Sequence, residues 1–356
     1  MIDVAQARCE LWRTVLDAPV GGSGVATFDT LFVTLVDSDG VTGVGFAYVL
    51  GGRDALPLGA AEQLLDRFVV SASGIHPIAL WQRIAASFNR TGGGPYATAL
   101  AAIDVAAWDL LAVRAGIPLG VALGGAARRV PVYGSGGFVA DGDAAGAAAV
   151  AAAYLARGFG TVKARAAGTA ADRAVLQAVA GTGAALMVDA NEKCTPVTAA
   201  RLLREAADAG ALWLEEPLPA AALSAYRTLA RHAPVPLATG EHARSLAEAS
   251  PFVTEGLCSV LQPDLQALGG LTPCLHVARF AADHGVEVAP HFLPALFVHL
   301  AAAAPNVTWL EDFPLLEPLL DGVPAVAADG TLGLPPGPGH GLRPAAWARE
   351  RYRIAP

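Results

Sequence analysis

Charge and cysteine are both scarce in this chain, and each scarcity narrows the field. Asp, Glu, Lys and Arg make up 16% of 356 residues, with a formal net charge of −8 and no run of five or six Lys/Arg. The electrostatic footprint of a nucleic-acid or anionic-membrane binder is therefore missing. A small anionic ligand would need a metal ion or a few placed cations. The four cysteines, Cys9, Cys194, Cys258 and Cys274, are widely separated and form no Cys-x-x-Cys pair. Reduced thiols and a cytoplasmic protein are the expectation. The first residues carry Asp3, Arg8 and Glu10 in place of an apolar signal core. The longest small-apolar run, Ala144 to Ala156, is too short to cross a bilayer. It is expected to be a tightly packed helix, closed by Arg157 and Gly158.

Apolar residues, by contrast, make up 54% of the chain. That is ample for a large core, and the length suggests two domains. Leu31–Val36 and Gly43–Tyr48 have strand patterns, and Asp37-Ser-Asp-Gly40 between them is a hairpin turn signal. Helical patterns follow near residues 59–70, 78–87 and 96–115. From about residue 130 short apolar runs begin near 130, 161, 185, 212, 236, 260, 286 and 307, most of them separated by helix-like segments. Eight such strand-helix alternations predict an α/β fold, a parallel (β/α)8-type TIM barrel preceded by an N-terminal α+β domain. The expected division is that N-terminal domain over 1–125, the barrel over 126–320, and a tail over 321–356 that packs back on the N-terminal domain.

Chemistry in such barrels lies at the C-terminal strand ends. Asp189, Glu215 and Glu241 follow short apolar runs at intervals of 26 residues. A carboxylate there is costly unless paired or metal-bound, and three oxygen donors without a soft ligand favour Mg2+. The other strand ends carry Lys163 and Arg165, Asn191, Glu216, His242, Gln262 and Asp264, His291, and Glu311 and Asp312. Singly, each is most often a helix cap or a solvated residue; the ordered set is what carries the reading. A Mg2+ ion beside a substrate carboxylate acidifies the adjacent C–H. His291, titrating near neutrality, is the candidate base, with Asp264 fixing its tautomer. Glu311 is expected to be protonated by burial and to donate a hydrogen bond to the developing enolate.

These residues resemble the enolase superfamily, mandelate racemase subgroup. The resemblance rests on Val162-Lys-Ala-Arg165, Val188-Asp-Ala-Asn191, Trp213-Leu-Glu-Glu-Pro217, Thr239-Gly-Glu-His242, Gln262-Pro-Asp264, Ala289-Pro-His-Phe292 and Trp309-Leu-Glu311. In the N-terminal part it rests on Ala102-Ile-Asp-Val-Ala-Ala-Trp-Asp-Leu110 and Gly116-Ile-Pro-Leu119. It implies Asp189, Glu215 and Glu241 as Mg2+ ligands, and His291 with Asp264 as general acid/base. It also implies a barrel of modified, enolase-like form with the N-terminal α+β domain as its cap, Glu311 and Lys163 near the substrate carboxylate, and a homo-oligomer. Cap loops, expected at Ala18–Thr30 and Tyr48–Asp54, would close over the site, with Asn191, His242 and Arg53 as substrate contacts.

Two departures matter. The family's two-base members carry a lysine where this chain has Arg165, a permanent cation and a poor base. A histidine used as acid by some family dehydratases is Asn191 here. One base suffices to dehydrate an aldonate or aldarate to a 2-keto-3-deoxy acid, and that is the expected reaction. A racemase, epimerase or cycloisomerase is the alternative. A barrel that binds a carboxylate without catalysis is a third reading.

Overall fold

The computed structural model describes residues 1–20, 25–52, 55–139 and 142–355. The cap opens with an antiparallel meander of β1 (Gln6–Val20), β2 (Val25–Val36) and β3 (Thr42–Leu50). Asp37 makes the turn between β2 and β3: its Oδ1 accepts the N–H groups of Asp39 and Val41 at 2.9 and 2.8 Å. Five helices follow: α1 (Leu56–Leu64), α2 (Pro77–Ala85), α3 (Phe88–Thr91), α4 (Pro95–Ala115) and α5 (Leu119–Ala122). The meander lies directly on α4. A Cβ on Gly45 would sit 2.1 Å from the Ala102 carbonyl, so the close approach requires glycine. At 21 residues α4 is long and apolar enough to cross a membrane, but most of it is buried inside the protein, as suits a core helix.

The expected cap loops are corrected in part. Ala18–Val20 belongs to β1, Val25–Thr30 to β2 and Tyr48–Leu50 to β3, so most of the described part of both segments is strand, with Gly51 and Gly52 beyond the end of β3 and residues 21–24 outside the described residues. Arg53 and Asp54 lie outside the described residues.

Eight parallel strands form the barrel: β4 (Arg129–Gly134), β5 (Thr161–Arg165), β6 (Ala185–Asp189), β7 (Leu214–Glu215), β8 (Leu237–Thr239), β9 (Val260–Leu261), β10 (Glu287–Val288) and β11 (Leu310–Asp312). Neighbours in sequence are neighbours in the sheet, and β11 returns to β4. The last gap is closed by Val288, whose N–H reaches Asn306 O at 2.8 Å and whose carbonyl accepts from Thr308 N at 3.0 Å. Inward side chains Tyr133, Met187, Trp213, Ala238, Val260 and Ala289 fill the interior.

The crossovers are α6 (Ala144–Ala156), α7 (Asp172–Ala180), α8 (Pro196–Asp208), α9 (Leu223–Ala230), α10 (Leu246–Thr254), the pair α11 (Leu265–Leu268) and α12 (Leu271–Asp283), and α13 (Pro294–Ala303). Two expectations fail here. Among the described residues no α-helix directly follows the eighth strand: Pro314 and Pro318 leave room only for a 3-10 turn at Glu317–Leu319. And α6 is not tightly packed; among its residues only Ala151 and Tyr154 are buried.

The tail serves both halves. β12 (Leu320–Asp321) pairs with β14 (Arg343–Pro344), β13 (Thr331–Gly333) pairs with β4, and α14 (Ala346–Tyr352) leads into β15 (Arg353–Ala355), which pairs with β1. Buried His340 pins this return to the cap, with Nε2 2.7 Å from the Val44 carbonyl and its N–H donating to Asp109 at 2.9 Å. The four cysteines are free thiols.

Candidate active site

Parallel pairing sets Arg165 beside Asp189 and Asp189 beside Glu215, while Glu241 lies just past the end of β8. Alternation turns Lys163 and Arg165 inward, as expected, and both are buried. Lys163 Nζ lies 2.6 Å from Glu215 Oε1, 2.9 Å from Glu311 Oε1 and 3.6 Å from Asp189 Oδ2, over the ring of Tyr133. Arg165 Nη1 bonds Asp189 Oδ2. The remaining Glu215 oxygen accepts from Gln262 Nε2 at 2.7 Å and faces Trp213 Nε1 at 3.4 Å. Burial works against charge on Lys163, but its carboxylate partners outweigh it and hold the ammonium well above its ordinary pKa. Burial and neighbouring Asp189 push Glu215 well up.

On the next strands His291 Nδ1 lies 2.8 Å from Asp264 Oδ2, and its Nε2 lies 3.7 Å from Glu241 Oε2. Burial lowers the imidazole's pKa, yet Glu241 and the Asp264 hydrogen bond prevail and raise it to about 10. Phe292 and Leu293 follow in the left-handed region, φ 58° and 50°. This sharp turn aims the Phe292 N–H at Glu311 Oε2, 2.9 Å away, and stacks its ring on His291 at 3.7 Å. The expectation of a protonated Glu311 is overturned. Burial does raise its pKa, but Lys163, His291 and the Phe292 N–H bring it down to about 2.

The residues assigned to substrate contact separate. Asn191 is half-buried in a left-handed turn, φ 45°, and its N–H returns to Asp189 Oδ1 at 2.7 Å. His242 borders the opening between cap and strand ends, with its Nδ1 2.9 Å from Glu216 Oε1, a hydrogen bond that raises it to about 9. Arg53 falls outside the described residues. Sequence reasoning missed Tyr48, whose hydroxyl bonds Asp264 Oδ2 and lies 3.3 Å from His291 Nδ1. Alternation in β3 put Tyr48 on one face with Val44 and Phe46, but nothing in the pattern named what that face meets.

A cleft of about 620 Å3 lies between cap and strand ends. Tyr48, Trp81, Phe88 and Leu100 line it from the cap, and Glu241, His242, Arg244, Asp264 and His291 from the barrel. The acids beneath it fit a hard cation. Asp189, Glu215, Glu241 and Glu311 outnumber the lysine and arginine among them, and the donors are carboxylate oxygens. The chain's own cations now hold these groups. Among the described residues, Glu192, Glu216 and His242 are the one set of three whose donor atoms lie within 4.8 Å of one another. Loading Asp189, Glu215 and Glu241 therefore means loosening the Lys163 and Arg165 pairs.

Residues 146–348 match the enolase C-terminal domain-like family, and residues 13–124 match the mandelate racemase / muconate lactonizing enzyme N-terminal domain. L-talarate/galactarate dehydratase of Salmonella typhimurium is 35% identical over 298 residues, covering 80% of this chain and 72% of that protein. 3,6-Anhydro-alpha-L-galactonate cycloisomerase of Streptomyces coelicolor is 29% identical, covering 95% and 96%. The crystal structure of the Salmonella typhimurium LT2 dehydratase liganded with Mg and L-lyxarohydroxamate superposes with a TM-score of 0.91 at 27% identity, over 99% of this chain and 93% of that one. The chain belongs to the mandelate racemase / muconate lactonizing enzyme family of the enolase superfamily.

Proposed function

We propose that this protein removes the proton α to a substrate carboxylate and dehydrates an acid sugar, an aldonate or aldarate, to a 2-keto-3-deoxy acid. One observation carries the reading. His291, held by Asp264, is a base with an aligned partner, whereas the two cations deeper in the barrel are poor bases. Lys163 is kept protonated by three carboxylates, and Arg165 is a permanent cation on Asp189. Asp189, Glu215 and Glu241 are the residues that would hold Mg2+. The chemistry this ion supplies is positive charge against the substrate carboxylate, stabilising the dianion formed on deprotonation.

The chain's own groups do the rest. His291 in its neutral form takes the C2 proton, and the bonding pair moves into the C2–carboxylate π system. The C3–O bond then breaks as His291 returns the proton to the departing hydroxyl, releasing water on the same face. The resulting enol tautomerises to the 2-keto-3-deoxy acid. Lys163 and Arg165 oppose the negative charge and carry no proton away. The cap walls of the cleft exclude bulk water.

The test is a screen of aldonates and aldarates with Mg2+, read as 2-keto acid, with solvent deuterium in parallel. His291→Asn abolishes both product and exchange of the C2 proton. Retained exchange would remove His291 from the role. Mg2+-dependent exchange also separates an enzyme from a barrel that only binds carboxylates. A second reading, a cycloisomerase, is supported by the end-to-end match to the Streptomyces coelicolor cycloisomerase and by the apolar cap walls Trp81, Phe88 and Leu100. A product of unchanged mass would favour it.

A further inference from the structure

The geometry points to Tyr48 as a positioning residue that lets the cap set the orientation of the His291–Asp264 pair. This rests on the reading of His291 as the base and goes beyond it, because Tyr48 belongs to β3 of the cap and the pair belongs to the barrel.

Three contacts carry the assignment. The Tyr48 hydroxyl donates to Asp264 Oδ2, the same oxygen that His291 Nδ1 meets at 2.8 Å. Asp264 Oδ1 is occupied by the Ala267 N–H at 2.8 Å, where the carboxylate caps α11. Both oxygens are thus fixed, and the carboxylate cannot turn without breaking a bond to the cap or one to the helix. The Tyr48 ring, buried at 4% exposure, also lies 5.7 Å from Phe292, which stacks on His291. The cap therefore reaches the imidazole's partner through a hydroxyl and its stacking neighbour through a ring.

The far end of α11 is gripped as well. Trp81 Nε1 donates to the Gly269 carbonyl at 2.8 Å, and Gln266 reaches Thr98 at 3.1 Å. Gly270 turns with φ 134°, where a Cβ would strike the Asp104 carboxylate at 2.4 Å. Asp104 in turn holds the Thr272 N–H and hydroxyl at 2.8 and 2.7 Å. Cap residues so clamp a four-residue helix at both ends, and the cap of that helix is the partner of the base. Asp189 and Glu215 are placed by barrel pairing; Asp264 is placed by barrel and cap together. Docking of the cap over the cleft and alignment of the base become one event.

Tyr48→Phe keeps the ring and deletes the hydroxyl. With an acid sugar that the wild type turns over, the variant loses about 10–100-fold in kcat, the usual effect of removing such an outer partner, while KM stays within about twofold. Independently of turnover, the His291 Nδ1–H proton resonance, assigned by its loss in His291→Asn, shifts in Tyr48→Phe with Mg2+ alone present. Wild-type kcat together with an unmoved resonance would reduce Tyr48 to packing and overturn the assignment. If His291→Asn keeps C2 exchange, it is the base reading that fails, and the resonance still decides whether Tyr48 positions the ring.

Discussion

Lys163 Nζ and Glu215 Oε1 lie 2.6 Å apart with no exposed surface on either side chain, so the chain presents its own cation to a carboxylate assigned to the metal. Removing that cation leaves Glu215 and Glu311 buried without their lysine counter-ion, each keeping a hydrogen bond on its other oxygen alone. Truncating one partner of a buried pair costs about 3–5 kcal/mol. Lys163→Met is therefore expected to lower the Tm of the EDTA-treated protein sharply. Mg2+ restores part of the loss by replacing the missing positive charge. Thermal melts with EDTA and with Mg2+ check this; equal losses in both conditions would contradict it.

The same crowding of acids couples Mg2+ to protons. Glu241 and the Asp264 hydrogen bond raise His291 to about 10 against its burial. At that value the imidazole holds its proton at neutrality, and a nearby cation favours the form without it. Binding therefore releases protons, and affinity grows as pH rises from the acid side towards the His291 value. Calorimetry in two buffers of different ionisation heat measures the sign directly. Proton uptake on binding at pH 7 would contradict the assignment.

How much of this was legible beforehand depends on what each feature needs. Asp189, Glu215 and Glu241 were readable because a strand-helix unit repeats at near-constant length and its acid falls at the strand end. His291 and Asp264 were readable for the same reason. The ionisation of Glu311 was not: burial alone argues for a neutral acid, and the positions of Lys163, two strands away around the ring, of His291 and of the Phe292 N–H reverse it. Tyr48 was hidden because strand alternation states which side a residue faces and not which domain lies there. The missing eighth helix was foreshadowed by Pro314 and Pro318, which the regular rhythm of the preceding units masked.

Arg165 bears on stereochemistry. With one base aimed at C2 and a permanent cation on Asp189, the wild type is expected to exchange the C2 proton of one epimer of its substrate and not of the other. Arg165→Lys puts an amine able to lose its proton in that place, and is expected to open slow exchange in the second epimer. Proton NMR in deuterated solvent follows both epimers separately. Exchange of both by the wild type would show a second acid/base at work and return racemisation to the front.

Arg244 bears on the substrate's far end. Among the described residues lining the cleft it is the one lysine or arginine, and it stands on the barrel side near His242. Its backbone N–H is fixed by Glu248 at 2.9 Å, which holds the chain segment while the exposed side chain reaches into the opening. The opposite cap walls, Trp81, Phe88 and Leu100, offer no charge. A diacid with one carboxylate over the three acids and their metal can set its second carboxylate against this guanidinium; an aldonate has no such group. A charged hydrogen bond is worth about 1.5–3 kcal/mol, so Arg244→Ala should raise KM for an aldarate by about tenfold or more. For an aldonate of the same length the change should stay within about twofold. Steady-state kinetics on a matched pair decides the matter: parallel losses for both acids would mean that Arg244 shapes the cleft without reading the distal carboxylate.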